Sequence, residues 1–169
     1  LSELTTIKQY AFYGCNSLRT IDFPNVTTIN YAAFANCEVL SNLKLPKVTF
    51  IDTECFASCR FLMSVSLPTL QTLGQGAFAS CPNLINVQLS AITSIGSSAF
   101  ANCQYLKSVY LLGTSVPRLV NTNAFENTPL SNTYQGTPGS IYVPASMVAN
   151  YQATPAWAPY SSRITAYRE

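Results

Sequence analysis

The 169-residue chain has no histidine and little charge, with 9 Lys and Arg against 7 Asp and Glu. Without histidine there is no Ser-His or Cys-His nucleophile pair, and most zinc geometries are closed. The carboxylates are too few and too dispersed to mark an acid/base pair. Asp52 and Glu54 are near neighbours but read as a solvated turn. No glycine-rich phosphate loop follows a strand-like run, and no pair of cysteines has the two-residue gap of a metal site. Neither an enzyme, a metal nor a cofactor is expected. The net charge of +2 is spread along the chain, which leaves no footprint for nucleic acid or an anionic membrane. No apolar run approaches the ~18 residues of a membrane span.

What is present is apolar and repetitive. Hydrophobic residues make up 48% of the chain, which suits one folded domain rather than disorder. Phe12, Phe34, Phe56, Phe78 and Phe100 recur at an unvarying step of 22 residues, and each is followed three residues later by Cys15, Cys37, Cys59, Cys81 or Cys103. So short a unit cannot bury a hydrophobic face alone. It must stack on its neighbours, which predicts a solenoid.

Aligning the units on each Phe gives three further apolar columns: Leu18, Leu40, Leu62, Leu84 and Leu106; then Ile21, Leu43, Val65, Val87 and Val109; then Phe23, Leu45, Leu67, Leu89 and Leu111. The last two alternate with polar residues, the pattern of a short strand with one buried face. Pro24, Pro46 and Pro68 close the strand because proline removes a ladder donor. Val26, Val48, Leu70 and Ile92 begin an extended apolar segment. A small residue before each Phe suits a tight helical turn. Each rung is thus read as one strand, one extended segment and one helical turn, with a single parallel sheet running the length of the coil.

Residues 95–103 (I-G-S-S-A-F-A-N-C) followed by 106–111 resemble the BspA-like branch of the leucine-rich repeat proteins, and the likeness covers nearly the whole chain. That family carries Gly four residues before the Phe, matched by Gly74 and Gly96. Asn30 and Asp52 stand there in other rungs and tolerate left-handed backbone, whereas Lys8 departs from the pattern. The resemblance implies a right-handed leucine-rich repeat solenoid and a secreted or surface-anchored bacterial protein that binds host or bacterial proteins without catalysis.

Regular repeats are expected over 1–112, an irregular last repeat over 113–144 and a C-terminal cap over 145–169, all within one domain. Leu1 falls on the column of Phe23 and Leu45, so the chain reads as a fragment entering a strand partway, with its signal or anchor elsewhere. Near the other end, Phe125 comes three residues late, after an insertion in 113–123. Thr128 stands where a Cys belongs. Residues 131–139 form a loop and 140–144 (S-I-Y-V-P) a last strand. Residues 145–153 read as a helix presenting Met147, Val148 and Tyr151, and Trp157, Tyr160 and Ile164 close the open end of the core.

The five aligned cysteines, with Cys55 in the place of a small Ala, are read as reduced, buried, small hydrophobes. One or two bridges between adjacent rungs are the alternative.

Recognition is left to the outward strand positions. One column reads Thr20, Asn42, Ser64, Asn86 and Ser108; the next reads Asp22, Lys44, Ser66, Gln88 and Tyr110. Chemistry that changes from rung to rung beside constant core columns is what a binding face shows, and also what a free solvated face shows. The candidate binding residues are Asp22, Asn42, Lys44, Ser66, Asn86, Gln88, Tyr110 and Leu112, with Tyr110, Leu112 and Leu119 expected to form an apolar patch. Phe61, Tyr105 and Val39 share a column and are expected to pack between rungs. The expected function is a non-catalytic protein-binding module at the cell surface. A spacer presenting another domain, or a carbohydrate-binding module using the Tyr-rich C-terminal region, are the alternatives.

Overall fold

The computed structural model describes residues 3–168, so the Leu1 position lies outside the described residues. In chain order the strands are β1 (Thr6–Ile7), β2 (Thr20–Asp22), β3 (Thr28–Ile29), β4 (Asn42–Lys44), β5 (Phe50–Ile51), β6 (Ser64–Ser66) and β7 (Thr72–Leu73). They continue as β8 (Asn86–Leu89), β9 (Ser94–Ile95), β10 (Ser108–Leu111), β11 (Arg118–Leu119), β12 (Ser140–Val143) and β13 (Ile164–Ala166). The even-numbered strands β2 to β12 are the ones expected from the alternating pattern. They pair in parallel as β2–β4 and as β6–β8–β10–β12, with β13 added beyond β12. Their register is one repeat: Ile21 faces Leu43, and Val87 faces Val109.

The single sheet expected from the sequence is corrected: the even-numbered strands divide into a two-stranded sheet and, with β13, a five-stranded one, and a third sheet runs beside them. The extended segment forms its own six-stranded parallel ladder, β1–β3–β5–β7–β9–β11. Two residues per strand suffice because a threonine column reinforces the backbone bonds. Thr27 and Thr49 donate their hydroxyls to the carbonyls of Thr5 and Thr27, each at 3.3 Å, and Thr93 donates to Gln71 at 2.9 Å.

The expected helical turn is likewise corrected. Residues around each Phe form a chain of tight turns in which donors alternate in direction. Ala11, Tyr13 and Cys15 N–H groups bond three residues back within the rung, whereas Tyr10, Phe12 and Gly14 donate to the next rung at Tyr31, Ala33 and Ala35. An α-helix would spend every donor inside its own rung and leave the rungs uncoupled at this edge. The alternation requires left-handed backbone two residues before and two after the Phe. Tyr10, Ala32, Glu54, Gly76 and Ser98 occupy the first position, and Gly14, Asn36, Ser58, Ser80, Asn102 and Asn127 the second. Gly74 and Gly96 are not left-handed, contrary to the expectation drawn from the family pattern. A Cβ at Gly96 would sit 2.5 Å from the carbonyl carbon of Gly74, so the glycines permit close approach of successive rungs.

The core is a set of side-chain columns running the length of the coil. Six phenylalanines, Phe12 to Phe125, stack with centroids 5.0, 5.2, 5.1, 5.6 and 5.4 Å apart and ring planes within 6° of parallel. Stacking is imposed by the backbone repeat, since an isolated pair prefers an offset or edge-on arrangement. All six cysteines are free; Cys15 is half-buried and the others are buried. Each ladder thiol from the second rung on donates to the Phe carbonyl of the rung before, Cys37 to Phe12 at 3.0 Å and Cys103 to Phe78 at 3.1 Å. The column is therefore more than apolar filler: it supplies the second hydrogen bond of a buried carbonyl.

The last turn keeps the stack despite the insertion. Phe125 lies on Phe100, and the Thr128 hydroxyl bonds its own rung's Phe125 carbonyl at 2.7 Å. Residues Ala145–Met147 form a 3-10 turn, Val148–Ala153 a short helix α1, and Pro155–Arg163 a 3-10 segment leading into β13. Trp157 is fully buried, with its ring 6.3 Å from Phe125 and its Nε1 donating to Pro117 at 3.0 Å. Tyr160 meets Phe125 edge-on at 5.2 Å while its hydroxyl donates to the Thr122 carbonyl and accepts from the Phe125 N–H. The aromatic column thus ends on rings that also satisfy the last rung's backbone. Ile164, expected only as a cap side chain, begins strand β13.

Candidate functional site

The even-numbered strands present two outward columns, in register within β2–β4 and within β6–β8–β10–β12. Asp22 lies beside Lys44. Ser66, Gln88, Tyr110 and Tyr142 follow in consecutive pairings, and Thr165 of β13 continues the row after Tyr142. The candidate residues Asp22, Asn42, Lys44, Ser66, Asn86 and Gln88 are exposed, and Tyr110 is half-exposed. The ladder fixes their spacing at one strand width per rung.

Three zones divide the face. At the N-terminal side Lys44 Nζ reaches Asp22 Oδ2 at 3.2 Å, an exposed ion pair of little energetic weight that sets local charge. In the middle, Ser64, Ser66, Asn86 and Gln88, with Val65, Val87 and Tyr110, line a shallow groove of about 150 Å³. At the C-terminal side the surface becomes aromatic. Tyr110 and Tyr142 stack with centroids 4.8 Å apart and planes 13° apart, and Tyr167 meets Tyr110 edge-on at 5.9 Å and 88°. These rings, with Thr165, Ala166 and Arg168, line an open cleft of about 370 Å³.

The expected apolar patch is only partly formed. Leu119 lies in β11 of the other ladder and is buried, because its alternation turns it into the core. Leu112 is half-buried past the end of β10 and is not among the residues lining the tyrosine cleft. Tyr167 and Arg168 were not found from the sequence because they lie beyond the 22-residue register. The alternation of residues 164–167 was the available signal.

Phe61 and Tyr105 do not pack between rungs as expected; they are 59% and 56% exposed, with Met63 at 57%. Their position lies between the turn edge and the strand, where the Phe61 N–H bonds the Glu38 carbonyl of the preceding rung at 3.1 Å and the rings are left outward. Tyr105 borders a separate concavity with Gln104, Asn127 and Tyr134.

The reactive groups are occupied structurally. Asp52 Oδ1 accepts from the Thr53 N–H at 2.7 Å, and Glu54 Oε2 accepts from the Tyr31 hydroxyl at 3.4 Å. Burial pushes the Cys55 and Cys59 thiols up to about 12, and the adjacent Cys103 thiol together with burial pushes Cys81 well up. These thiols are neutral at physiological pH and poor nucleophiles. Among the described residues no group of three His, Cys, Asp or Glu side chains is placed to hold a metal, and no helix is long and apolar enough to cross a membrane.

A family profile described as BspA type Leucine rich repeat region matches residues 1–107 and 27–137, in 6 copies. No curated protein matches the chain. Among solved structures, the whole chain aligns with 40% of the pneumococcal vaccine antigen PcpA at 17% identity and a TM-score of 0.77. It aligns over its full length with 53% of a leucine rich cell surface protein from Faecalibacterium prausnitzii, at 24% identity and a TM-score of 0.54. A leucine-rich repeat protein of T. pallidum matches over 81% of each chain at 22% identity and a TM-score of 0.53. The chain spans less than half of the pneumococcal antigen and about half of the Faecalibacterium protein, and identities this low speak for the fold alone.

Proposed function

Since the chain belongs to the BspA-type leucine-rich repeat family, whose repeat domains are generally non-catalytic, we propose that it is an interaction module displayed on a bacterial cell surface and that it binds a protein through the even-numbered strand face. The observation that carries this reading is the exposed row Asp22, Lys44, Ser66, Gln88, Tyr110 and Tyr142. It changes chemistry at every rung from Asp22 to Tyr110, ending in a pair of tyrosines, while the columns beneath it hold constant. A rigid ladder of this kind presents side chains with little ordering cost on binding, which is the condition for specific recognition from modest contacts. The surface proteins to which the chain is similar in fold are consistent with such display.

The test compares the two faces. Beads coated with the chain are applied to bacterial and mammalian cells, before and after protease treatment of those cells. Attachment falls at least tenfold on protease treatment and with Lys44→Glu combined with Ser66→Arg, and it persists with Gln71→Lys on the opposite ladder. Attachment that ignores the strand-face pair, or that Gln71→Lys abolishes, overturns the assignment of the face. Protease-resistant attachment overturns the protein partner.

A further inference from the structure

We propose that the tyrosine cleft at the C-terminal side of the strand face is a saccharide site, and that the sugar it takes carries a carboxylate. The cleft is distinct in kind from the rest of the face. Its volume of about 370 Å³ lies within the range of small-ligand sites, roughly 300–1,000 Å³, as does that of a concavity of about 320 Å³ beside Asp22, Lys44 and Ser66, but only this cleft is walled by aromatic rings.

Its walls have the chemistry that a pyranose ring requires. A sugar has one face of C–H groups with slight positive charge and an edge of hydroxyls. Tyrosine offers a negative ring face to the first and a hydroxyl to the second. Tyr110 and Tyr142 stack on each other, and Tyr167 stands nearly perpendicular to Tyr110. Aromatic surface therefore bounds the cleft from two directions. The hydroxyl of Thr165, next in the row after Tyr142, adds a polar group to the lining.

The sign of the ligand follows from Arg168. Arg168 is among the residues lining the cleft, and among the described residues the lining holds no Asp or Glu. A planar fork of donors matches a carboxylate through two parallel hydrogen bonds, a geometry that a neutral hydroxyl cannot reproduce. The walls are also preorganised. Tyr142 lies in β12, which is paired on both sides, and Tyr110 lies in β10, which is paired on both sides. On the far side of Tyr110 the polar groove with Ser66, Asn86 and Gln88 can receive the hydroxyls of a second sugar residue, so the site suits an acidic oligosaccharide.

Saturation-transfer NMR on the 169-residue chain tests this, with sodium glucuronate and glucose as probes. Saturation passes from tyrosine resonances to the ring C–H protons of glucuronate, with glucose at least fivefold weaker. Arg168→Gln weakens glucuronate binding at least fivefold, Tyr142→Ala removes it and Tyr142→Phe, which keeps the ring and its packing, retains it. No transfer to glucuronate overturns the proposal. Equal transfer to both sugars with Arg168→Gln unaffected overturns the acidic specificity, and displacement of glucuronate by a polyglutamate peptide at lower concentration assigns the cleft to peptide instead. None of these outcomes depends on Lys44 or Ser66, so this site and the protein-binding face fail or stand separately.

Discussion

Glycine and cysteine are the residues whose roles differ most from what their types suggest. Gly96 meets the backbone of the previous rung at a distance no Cβ tolerates, while Gly14 has φ of +66° and open space around it. Gly96→Ala should therefore destabilise the fold by about 1–3 kcal/mol through backbone displacement, and Gly14→Ala by about 1–2 kcal/mol through left-handed strain alone. Gly14→Asn should be nearly neutral, as Asn36, Asn102 and Asn127 already hold that position. Urea melts of the three variants check the ordering. For the thiols, the folded value of about 12 at Cys55 and Cys59 exceeds the ordinary 9.0. Their contribution to stability is complete below about pH 9 and is lost as pH rises toward about 12, because only the unfolded chain ionises in that window. A native thiol assay at pH 8 should report Cys15 alone, and denaturation should release the remainder.

Among the elements, the main strands were legible from the alternation at Val87 and Leu89 or Val109 and Leu111, because burial on one face leaves a two-residue period. The turn edge was not. Ala32, Glu54 and Ser98 adopt left-handed backbone with no residue-type preference to announce it, and the deciding factor is hydrogen bonding to the next rung, which no local pattern encodes. The pairing of the extended segment into a second ladder is not legible for the same reason. The cap was legible in Trp157 and Tyr160 but not in its route, since the 3-10 segment Pro155–Arg163 lacks amphipathic spacing. Trp157→Ala should cost about 3–5 kcal/mol, as it opens the end of the phenylalanine column and orphans the Pro117 carbonyl. Tryptophan→Phe at the same position should recover the packing but not the hydrogen bond, and chemical denaturation should place it between the two.

Across the whole molecule, the repeat makes stability and the proposed recognition separable. Each rung contacts its neighbours through the same columns, so stability is close to a sum over rungs and interfaces. Recognition depends on which side chains stand next to which. The candidate face was legible in the order Asp22, Lys44, Ser66, Gln88, Tyr110, because register follows from the period. Its aromatic end was only half legible, because Tyr167 and Arg168 arrive from the cap rather than from a rung. The direct test is deletion of residues 53–74, one full repeat, which keeps every column in phase but sets Lys44 beside Gln88. The account predicts a single cooperative unfolding transition with attachment to target cells reduced at least tenfold. A folded deletion variant that attaches as well as the intact chain would contradict the account, because the order of side chains around Ser66 would then carry no specific contact.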